Sequence, residues 1–339
     1  MKYPSFLKKG DVIEVVAPSL GFFEEKDKEN FGYAKAFLEK RGYSVRTSES
    51  VFSLGRFWAS AAPDKRAEEF TEAYLSDASA VFAASGGETE LLILPYLDEK
   101  AFSGASPKWF TGYSDNTVLG YWLLTRLDTA SVYGVNAGAF GYEPMDESVA
   151  YHLDLIEGKR FSFPSVRAFR NLRMDEVPEC AGRKTVVCDT PSVWKTKGGE
   201  VTVSGRAIGG CLDLFPSFIG TPYDGTKEFA ERYKSDGILW FLESCDLNPA
   251  GAVRALWQMK EAGWFEHASG FVFGRPHIGG DFFGTDFIGA VTEFLGTDVP
   301  MIFDADFGHK PPVLPVVNGS LMTASVFKGG KGSFSYRLE

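Results

Sequence analysis

Residues 108–127 read KWFTGYSDNTVLGYWLLTRL, and this stretch decides the fold class. An apolar strand pattern at 108–111 leads through the small-residue turn Gly112, Tyr113, Ser114 into a helical pattern that runs from about 116 to 127. A strand that turns directly into a helix is the repeating step of α/β proteins. The stretch therefore predicts a sheet whose strands are connected by helices.

The upstream residues repeat the same step. Short apolar or β-branched segments, ended by Pro, Ser or Gly, alternate with helical segments, and Pro63 is well placed in the first turn of one helix. This alternation predicts an open, largely parallel sheet with helices on both faces. We predict strands at 11–17, 43–46 and 80–84, and helices at 27–41, 63–75 and 88–97.

The alternation fades between about 158 and 190. We therefore predict an N-terminal α/β domain at 1–160 that carries the nucleophile, a linker at 161–190, and a C-terminal β-rich domain of α+β character at 191–339. In the C-terminal domain we predict strands at 200–208, 237–242, 270–273 and 300–303, and a helix at 249–262.

The composition narrows the function classes. The chain has 339 residues, enough for about two domains, with a net charge of -10 and a pI near 5.1. We expect no nucleic acid polymer as a partner, because phosphate contacts need a basic surface. No run of 18 apolar residues is present, and the first residues lack the apolar core of a secretory signal. We therefore expect no membrane span and a cytoplasmic location.

Cysteine and histidine usage argues against a disulfide framework or a metal centre. The cysteines are scattered without a Cys-x-x-Cys spacing, which is typical of buried thiols in a reducing compartment; they are Cys180, Cys188, Cys211 and Cys245. The histidines show no compact metal-ligand spacing; they are His152, His267, His277 and His309. We expect no metal, and one histidine acting as a general base is the simpler use of this set.

Ser114 lies where the strand at 108–111 turns into the following helix. That position exposes the side chain above the sheet and places it beside the backbone N–H groups of the helix start. An oxyanion forming there would meet those amides, so Ser114 is a candidate nucleophile, although the Gly-x-Ser-x-Gly pattern is absent. The alternative is that Ser114 or Asp115 caps the helix.

Gly86 and Gly87 also follow a predicted strand and precede a predicted helix. Ligand sites gather at the carboxyl ends of parallel strands. Without Cβ atoms, the backbone amides of these glycines can approach a ligand closely, which suits an oxyanion donor or an anion site. A tight turn is the alternative.

Two residues of the second half are suited to complete such a site. Glu243 ends an apolar run, and a carboxylate at a strand end can orient an imidazole; a solvated acid is the alternative, and Asp246 is a second candidate. His309 follows Gly308, which would let the chain turn sharply and direct the ring inward. A surface histidine is the alternative, and His277 is the competing base.

These residues, in their order and spacing, resemble the LD-carboxypeptidase family of serine peptidases, which includes muramoyltetrapeptide carboxypeptidases and microcin C immunity peptidases. The resemblance extends over nearly the whole chain. It depends on the order and spacing of several short motifs together rather than on any single motif. The matching pieces are residues 7–19 (LKKGDVIEVVAPS), 66–68 (RAE), 86–87 (GG), 112–115 (GYSD), 209–212 (GGCL), 220–222 (GTP), 242–243 (LE) and 307–309 (FGH).

The resemblance implies a flavodoxin- or Rossmann-like, doubly wound N-terminal domain and a β-rich C-terminal domain. It implies Ser114 as the nucleophile, with Glu243 and His309 completing the triad. It also implies the backbone N–H groups of Gly87 and Asp115 as the oxyanion hole. Members of this family need no metal or organic cofactor, and many are homodimers.

Two features of the chain depart from the common family pattern. Asn116 stands where an aliphatic residue is usual, a change expected to affect packing rather than chemistry. Residues 88–98 resemble the microcin C immunity branch, in which an aromatic residue stacks on a nucleotide base. Trp194 is the candidate for that role, with Gly86 as a further substrate contact; a core or surface tryptophan is the alternative.

We therefore predict a serine peptidase that hydrolyses an amide bond in a small peptide or a peptidyl-nucleotide. The two substrate hypotheses are removal of the terminal D-alanine of a murein tetrapeptide and cleavage of an amide between an acidic amino acid and a nucleotide. A non-catalytic binder of a small anionic ligand is one alternative. A nucleotide-dependent α/β enzyme is another, disfavoured because no phosphate-binding glycine signature is present.

Overall fold

The computed structural model describes residues 1–171, 179–180, 183–184 and 187–339. The chain forms two compact units, the first from Met1–Arg160 and Val177–Val186, the second from Phe161–Glu176 and Val187–Glu339. The central part of the predicted linker, including 172–178, and the side chain of Cys180 lie outside the described residues.

Strands and helices alternate through the first 156 residues, as the sequence predicts. The elements are β1 (Val12–Val16), α1 (Glu25–Arg41), β2 (Ser44–Thr47), α2 (Pro63–Leu75), β3 (Ala80–Ala83), α3 (Glu99–Ser103), β4 (Trp109–Gly112), α4 (Thr117–Leu127), β5 (Ser131–Tyr133) and α5 (Glu147–Ile156). Short 3-10 helices lie at Glu49–Phe52, Glu90–Tyr96, Ser114–Asn116 and Ala137–Gly141.

The remaining residues form mostly strands. They are β6 (Ser162–Pro164), β7 (Ala168–Phe169), β8 (Glu179–Cys180), β9 (Arg183–Lys184), β10 (Thr190–Pro191), β11 (Lys195–Thr196), β12 (Val201–Cys211), β13 (Ile238–Glu243), β14 (Ala268–Gly274), β15 (Met301–Ala305), β16 (Val316–Asn318), β17 (Leu321–Val326) and β18 (Gly332–Arg337). The helices are α6 (Thr226–Arg232), α7 (Pro249–Glu261) and α8 (Phe287–Leu295).

The sheet of the first unit carries its strands in the order β2-β1-β3-β4-β5, all parallel. Every residue of β3 and β4 is buried, as expected for a parallel sheet that helices cover on both faces. This strand order is that of flavodoxin-like folds. Successive strands are added on one side of β1 and then on the other, and this change of side occurs between β1 and β3. The predicted doubly wound architecture is confirmed, and its switch point lies beside β3, which ends at Ala83 before the turn that holds Gly86.

The second unit holds an eight-stranded mixed sheet in the order β11-β15-β14-β13-β12-β17-β18-β6. Its central strands β12 to β15 are parallel, with α6, α7 and α8 between them in the chain. The flanking strands β11, β17, β18 and β6 pair in antiparallel fashion. The predicted second, mostly sheet domain is confirmed, with more parallel pairing than an α+β pattern suggests.

The segment predicted as a linker contributes strands to the second unit. β6 pairs with β18, and Phe163 in its centre is fully buried. β7 pairs with β10. These strands are two or three residues long, too short to show an alternating pattern in the sequence.

Candidate functional site

Ser114 stands at the carboxyl end of β4, in the 3-10 turn that leads into α4. Its φ of 64° lies in the left-handed region, which is uncommon for a residue other than glycine. Its backbone N–H donates to the hydroxyl of Tyr133 over 3.2 Å. Such backbone strain concentrates at functional sites. Within the described residues no side chain caps the start of α4, so the cap alternative gains no support.

Gly86 and Gly87 lie against the serine turn. A Cβ on Gly86 would stand 3.0 Å from the Cβ of Ser114 and 3.1 Å from its Oγ. Gly87 has a φ of 153°, and a Cβ there would overlap the hydroxyl of Ser19, which follows β1. The turns after β1, β3 and β4 therefore meet at one edge of the sheet, and the two glycines allow the close approach.

Asn116 ties two of these turns together. Its Nδ2 donates to the carbonyl oxygen of Ser85 over 2.8 Å and to that of Tyr113 over 3.1 Å. The side chain is 1% exposed. A structural role for this unusual residue agrees with the sequence expectation.

Asp115 directs its side chain into the protein, where it is 2% exposed. Its carboxylate accepts a hydrogen bond from the hydroxyl of Ser19 and one from the backbone N–H of Glu90, the latter over 2.8 Å. Burial raises the pKa of Asp115. Burial, and then the charge of Asp115, raise the pKa of Glu90 well above its ordinary value. The charge of the buried Arg66 lowers both pKa values to a lesser extent.

Glu243 and His309 are brought together in the second unit. Glu243 ends β13 and is 1% exposed, and its Oε2 lies 2.8 Å from Nδ1 of His309. Gly308 has a φ of 108°, and a Cβ there would stand 2.9 Å from that same oxygen. A carboxylate oxygen accepts hydrogen bonds, so this contact places the ring proton on Nδ1 and leaves Nε2 as the nitrogen that can act as a base.

The competing candidates are placed differently. Asp246 is exposed, and its backbone N–H donates to the carboxylate of Asp213 over 2.7 Å. His277 is half-buried, and its backbone N–H donates to the carbonyl oxygen of Ser244 over 3.0 Å. The carboxylate that holds His309 therefore belongs to Glu243.

The other two histidines have structural surroundings. His152 accepts from the backbone N–H of Val135 at Nε2 and donates from Nδ1 to the carbonyl oxygen of Ser148, and burial lowers its pKa to about 4. His267 contacts Glu231 over 3.0 Å near the surface. Neither pattern is that of a general base.

Trp194, the candidate for base stacking, is a core residue. Its side chain is 1% exposed and packs against Phe334, with ring centroids 4.6 Å apart. A Cβ on Gly332 would overlap the indole ring. The burial favours the core alternative that the sequence left open.

Sequence reasoning missed three groups that shape the site. Ser19 and Tyr133 contact the serine turn through the hydrogen bonds given above. Asp213 accepts from the backbone N–H groups of Cys245 and Asp246, over 3.1 and 2.7 Å, and so fixes the turn that follows Glu243. Burial raises the pKa of Asp213. Only Ser19 had a signal, because it ends the first strand of the predicted parallel sheet.

Two curated relatives of this chain are named as carboxypeptidases. A putative carboxypeptidase of Streptomyces coelicolor is 27% identical over 337 residues, covering 93% of this chain and 91% of that protein. A probable murein peptide carboxypeptidase of Bacillus subtilis is 24% identical, covering 79% of this chain and 73% of that protein.

Solved structures show the same fold. An MccF-like protein from Bacillus anthracis has a TM-score of 0.82 at 22% identity, with 99% of each chain covered. The microcin C7 self immunity protein MccF in complex with glutamyl sulfamoyl guanosine has a TM-score of 0.80 at 20% identity, covering 99% of this chain and 98% of that chain.

Within the described residues, no helix is both long and apolar enough to cross a membrane.

Matches to family models assign the chain to a protein family. The LD-carboxypeptidase N-terminal domain matches residues 13–134, and the LD-carboxypeptidase C-terminal domain matches residues 204–323. These matches span more than half of the chain, and the chain therefore belongs to the LD-carboxypeptidase family of peptidases.

Proposed function

We propose that the protein is a serine-type peptidase in which Ser114, His309 and Glu243 form the catalytic triad. The observation that carries this proposal is the buried hydrogen bond of 2.8 Å between Glu243 and Nδ1 of His309. It gives the imidazole the tautomer and orientation that a general base of this type needs. The strained turn that presents Ser114 against Gly86 supports its role as the nucleophile.

The proposed reaction proceeds through an acyl-enzyme. Oγ of Ser114 attacks the amide carbonyl while Nε2 of His309 takes its proton, and Glu243 stabilises the imidazolium. His309 then returns the proton to the leaving amine as the C–N bond breaks. Water hydrolyses the ester with His309 again as the base. The backbone N–H groups of Gly87 and Asp115 are the proposed oxyanion donors, each worth about 2.7–4 kcal/mol in the transition state.

For the substrate, we favour a murein peptide with a terminal D-alanine over an aminoacyl-nucleotide. Trp194, the aromatic residue proposed to stack on a base, is 1% exposed and packed against Phe334, which leaves the resemblance of residues 88–98 as the sequence argument for the nucleotide. The relative from Bacillus subtilis is named for murein peptides, which supports the same choice.

The nucleophile is tested with the Ser114→Ala variant and a fluorophosphonate probe. We expect the wild type to be labelled once per chain and the variant not at all, while both show the same thermal unfolding temperature. Ser44→Ala, an exposed position in β2, is the matched control and should label like the wild type. Labelling and hydrolysis by Ser114→Ala would refute the triad.

The substrate is tested by incubating the protein with an L,D-murein tetrapeptide and, separately, with a glutamyl sulfamoyl nucleoside. Mass spectrometry should show loss of D-alanine from the tetrapeptide. Faster release of glutamate from the nucleoside would reverse the substrate preference and leave the triad untouched.

We also propose that the protein is a homodimer, as the family resemblance implies, and that it is cytoplasmic, as its sequence composition suggests. Light scattering after gel filtration should give a mass twice that of the 37.3 kDa chain. The scattered spacing of the cysteines in the sequence, without a Cys-x-x-Cys pair, supports a reducing location. Fractionation of the native host, with the protein in the cytosolic fraction, is the test of the location.

A further inference from the structure

Arg275 directly follows β14 and is one of the most deeply buried charged residues of the second unit, with 3% exposure. One terminal nitrogen of its guanidinium, Nη1, forms an ion pair with the carboxylate of Asp306. The other, Nη2, donates to the carbonyl oxygen of Lys310 over 3.1 Å and to that of Pro312 over 3.0 Å. One side chain therefore binds the chain on both sides of His309.

Asp306 in turn is fully buried and completes the support. It accepts from the backbone N–H of Val166 over 2.7 Å and from the hydroxyl of Ser192 over 2.5 Å. The ring of Phe169 covers the guanidinium, with its centroid 4.4 Å from Cζ of Arg275. The ion pair is thus fixed by its surroundings and cannot slide along the turn.

The turn between these anchor points needs such support. Gly308 stands in the left-handed region with Glu243 directly against it, so a small shift of the turn would move His309 relative to its carboxylate. The strand β15 ends at Ala305, so residues 306–312 have no sheet pairing of their own. Backbone hydrogen bonds hold Pro311 and Asp306, over 2.8 and 2.7 Å, and the guanidinium adds further fixed points on both sides of His309.

We infer that Arg275 is the positioning residue of His309: it clamps residues 306–312 so that the imidazole keeps its hydrogen bond to Glu243. The inference rests on the proposed function for its catalytic consequence, since it concerns the base of that triad. An arginine is required because its planar fork reaches three acceptors at once, which the point charge of a lysine does not do.

The chain offers a matched control in Arg206, which is 5% exposed. It also pairs with the side-chain carboxylate of Asp236 and donates to two backbone oxygens, those of Gly319 and Glu339. Its Cζ also lies over an aromatic ring, at 4.6 Å from the centroid of Tyr233. Arg206 stands opposite the first residue of β13 and Glu243 is the last, so about 16 Å of strand separates this clamp from the site.

The test compares Arg275→Lys and Arg275→Gln with Arg206→Lys and Arg206→Gln. The first readout is the low-field proton resonance of the hydrogen bond between His309 and Glu243, assigned by its loss in Glu243→Gln. The second is the pH profile of kcat/KM on the tetrapeptide. We expect both Arg275 variants to lose or broaden the resonance. Arg275→Lys should also lower kcat at least tenfold with KM within twofold, and shift the limb of the profile that reports His309.

The Arg206 variants should lose thermal stability to a similar degree but keep the resonance and keep kcat/KM within twofold of the wild type. The inference is overturned if the Arg275 variants keep the resonance and the pH profile, or if the Arg206 variants change both as strongly. Should Arg275→Gln not fold, Arg275→Lys decides. The resonance is measured without turnover. It therefore tests whether Arg275 positions His309 even if the Ser114→Ala variant refutes the proposed function.

Discussion

Glu90 is a fully buried carboxyl group one hydrogen bond away from the serine turn, through its backbone N–H to Asp115. Burial and the neighbouring carboxylate both raise its pKa, and Arg66 offsets this only in part. A carboxyl group in such surroundings is most stable in its neutral form. Glu90 therefore acts as a proton-holding residue beside Asp115 rather than as an ion-pair partner.

This assignment predicts the effect of Glu90→Gln on stability. The pKa of Glu90 is raised above its ordinary value near 4.5, so the folded state binds the proton more tightly than the unfolded state does. Wild-type stability should fall as the pH rises above about 4.5. The neutral glutamine lacks this fall, so the variant should be at least as stable as the wild type in urea unfolding at pH 8.

The control for this prediction is Glu69→Gln. Glu69 is 4% exposed, and its carboxylate accepts from the backbone N–H of Ser50 over 3.2 Å and from the hydroxyl of the same residue. Its replacement should destabilise the protein by about 1–2 kcal/mol at pH 8. If Glu90→Gln destabilises the protein equally, Glu90 is an ionised partner of Arg66 instead.

The pH dependence of stability that His152 causes is opposite in sign to that of Glu90. Its pKa is lowered from 6.5 to about 4 by burial, so the unfolded state takes up a proton first as the pH falls. The stability of the wild type should therefore decrease between pH 6.5 and pH 4, by on the order of 3 kcal/mol in total. Urea unfolding across this range measures it. His152→Gln should flatten the dependence, whereas His267→Gln, at the surface, should leave it in place.

At the scale of elements, the turn that connects β4 to α4 depends on Gly86 in the neighbouring turn. In Gly86→Ala, the new Cβ would stand 3.0 Å from the Cβ of Ser114, so the serine must shift by a few tenths of an ångström. Displacement of a reacting group on this scale should lower kcat/KM about tenfold to a hundredfold. The rate of fluorophosphonate labelling should fall with it.

Gly104→Ala is the control for the Gly86→Ala variant. Gly104 has a φ of -84°, and its new Cβ would come no closer than 3.9 Å to another atom. This variant should label at the wild-type rate. Equal labelling by Gly86→Ala would show that the two turns move independently.

Elements with a strong local pattern could be predicted from the sequence, and those that depend on distant partners could not. The strand and helix around Ser114 follow from an apolar run, a small-residue turn and a largely apolar helical segment. The helix predicted at 88–97 is instead a 3-10 helix at Glu90–Tyr96, where Pro95 lacks the N–H that a continuous α-helix needs. The strands at 162–164 and 168–169 depend on pairing with residues far along the chain.

The same limit holds for the site. Ser114 and Gly86 were candidates because their turns are visible in the sequence, whereas their contact depends on the strand order. The choice of Glu243 over Asp246 and of His309 over His277 required the family resemblance, because all four follow strands in similar ways. Arg275 and Asp306 gave no local signal, since their buried ion pair joins residues that follow two different strands.

At the scale of the whole molecule, the many aromatic residues form packed cores. In the second unit, Trp240 and Trp264 stack with centroids 6.0 Å apart, and Phe215 meets both edge-on at 6.1 Å. Trp264 is fully buried, so Trp264→Ala should cost about 3–5 kcal/mol in urea unfolding. Trp257→Ala, at 54% exposure, should cost no more than about 0.5 kcal/mol. Similar costs for both would contradict this account of the core.

The meeting of three turns at one edge of the sheet has an evolutionary consequence. The turns after β1, β3 and β4 come from separate parts of the chain, while buried strand interiors hold the sheet together. A mutation or insertion in one turn can therefore alter the substrate specificity of the protein without changing its fold. Selection can therefore change substrate specificity one loop at a time, while the strand framework that positions Ser114 is kept.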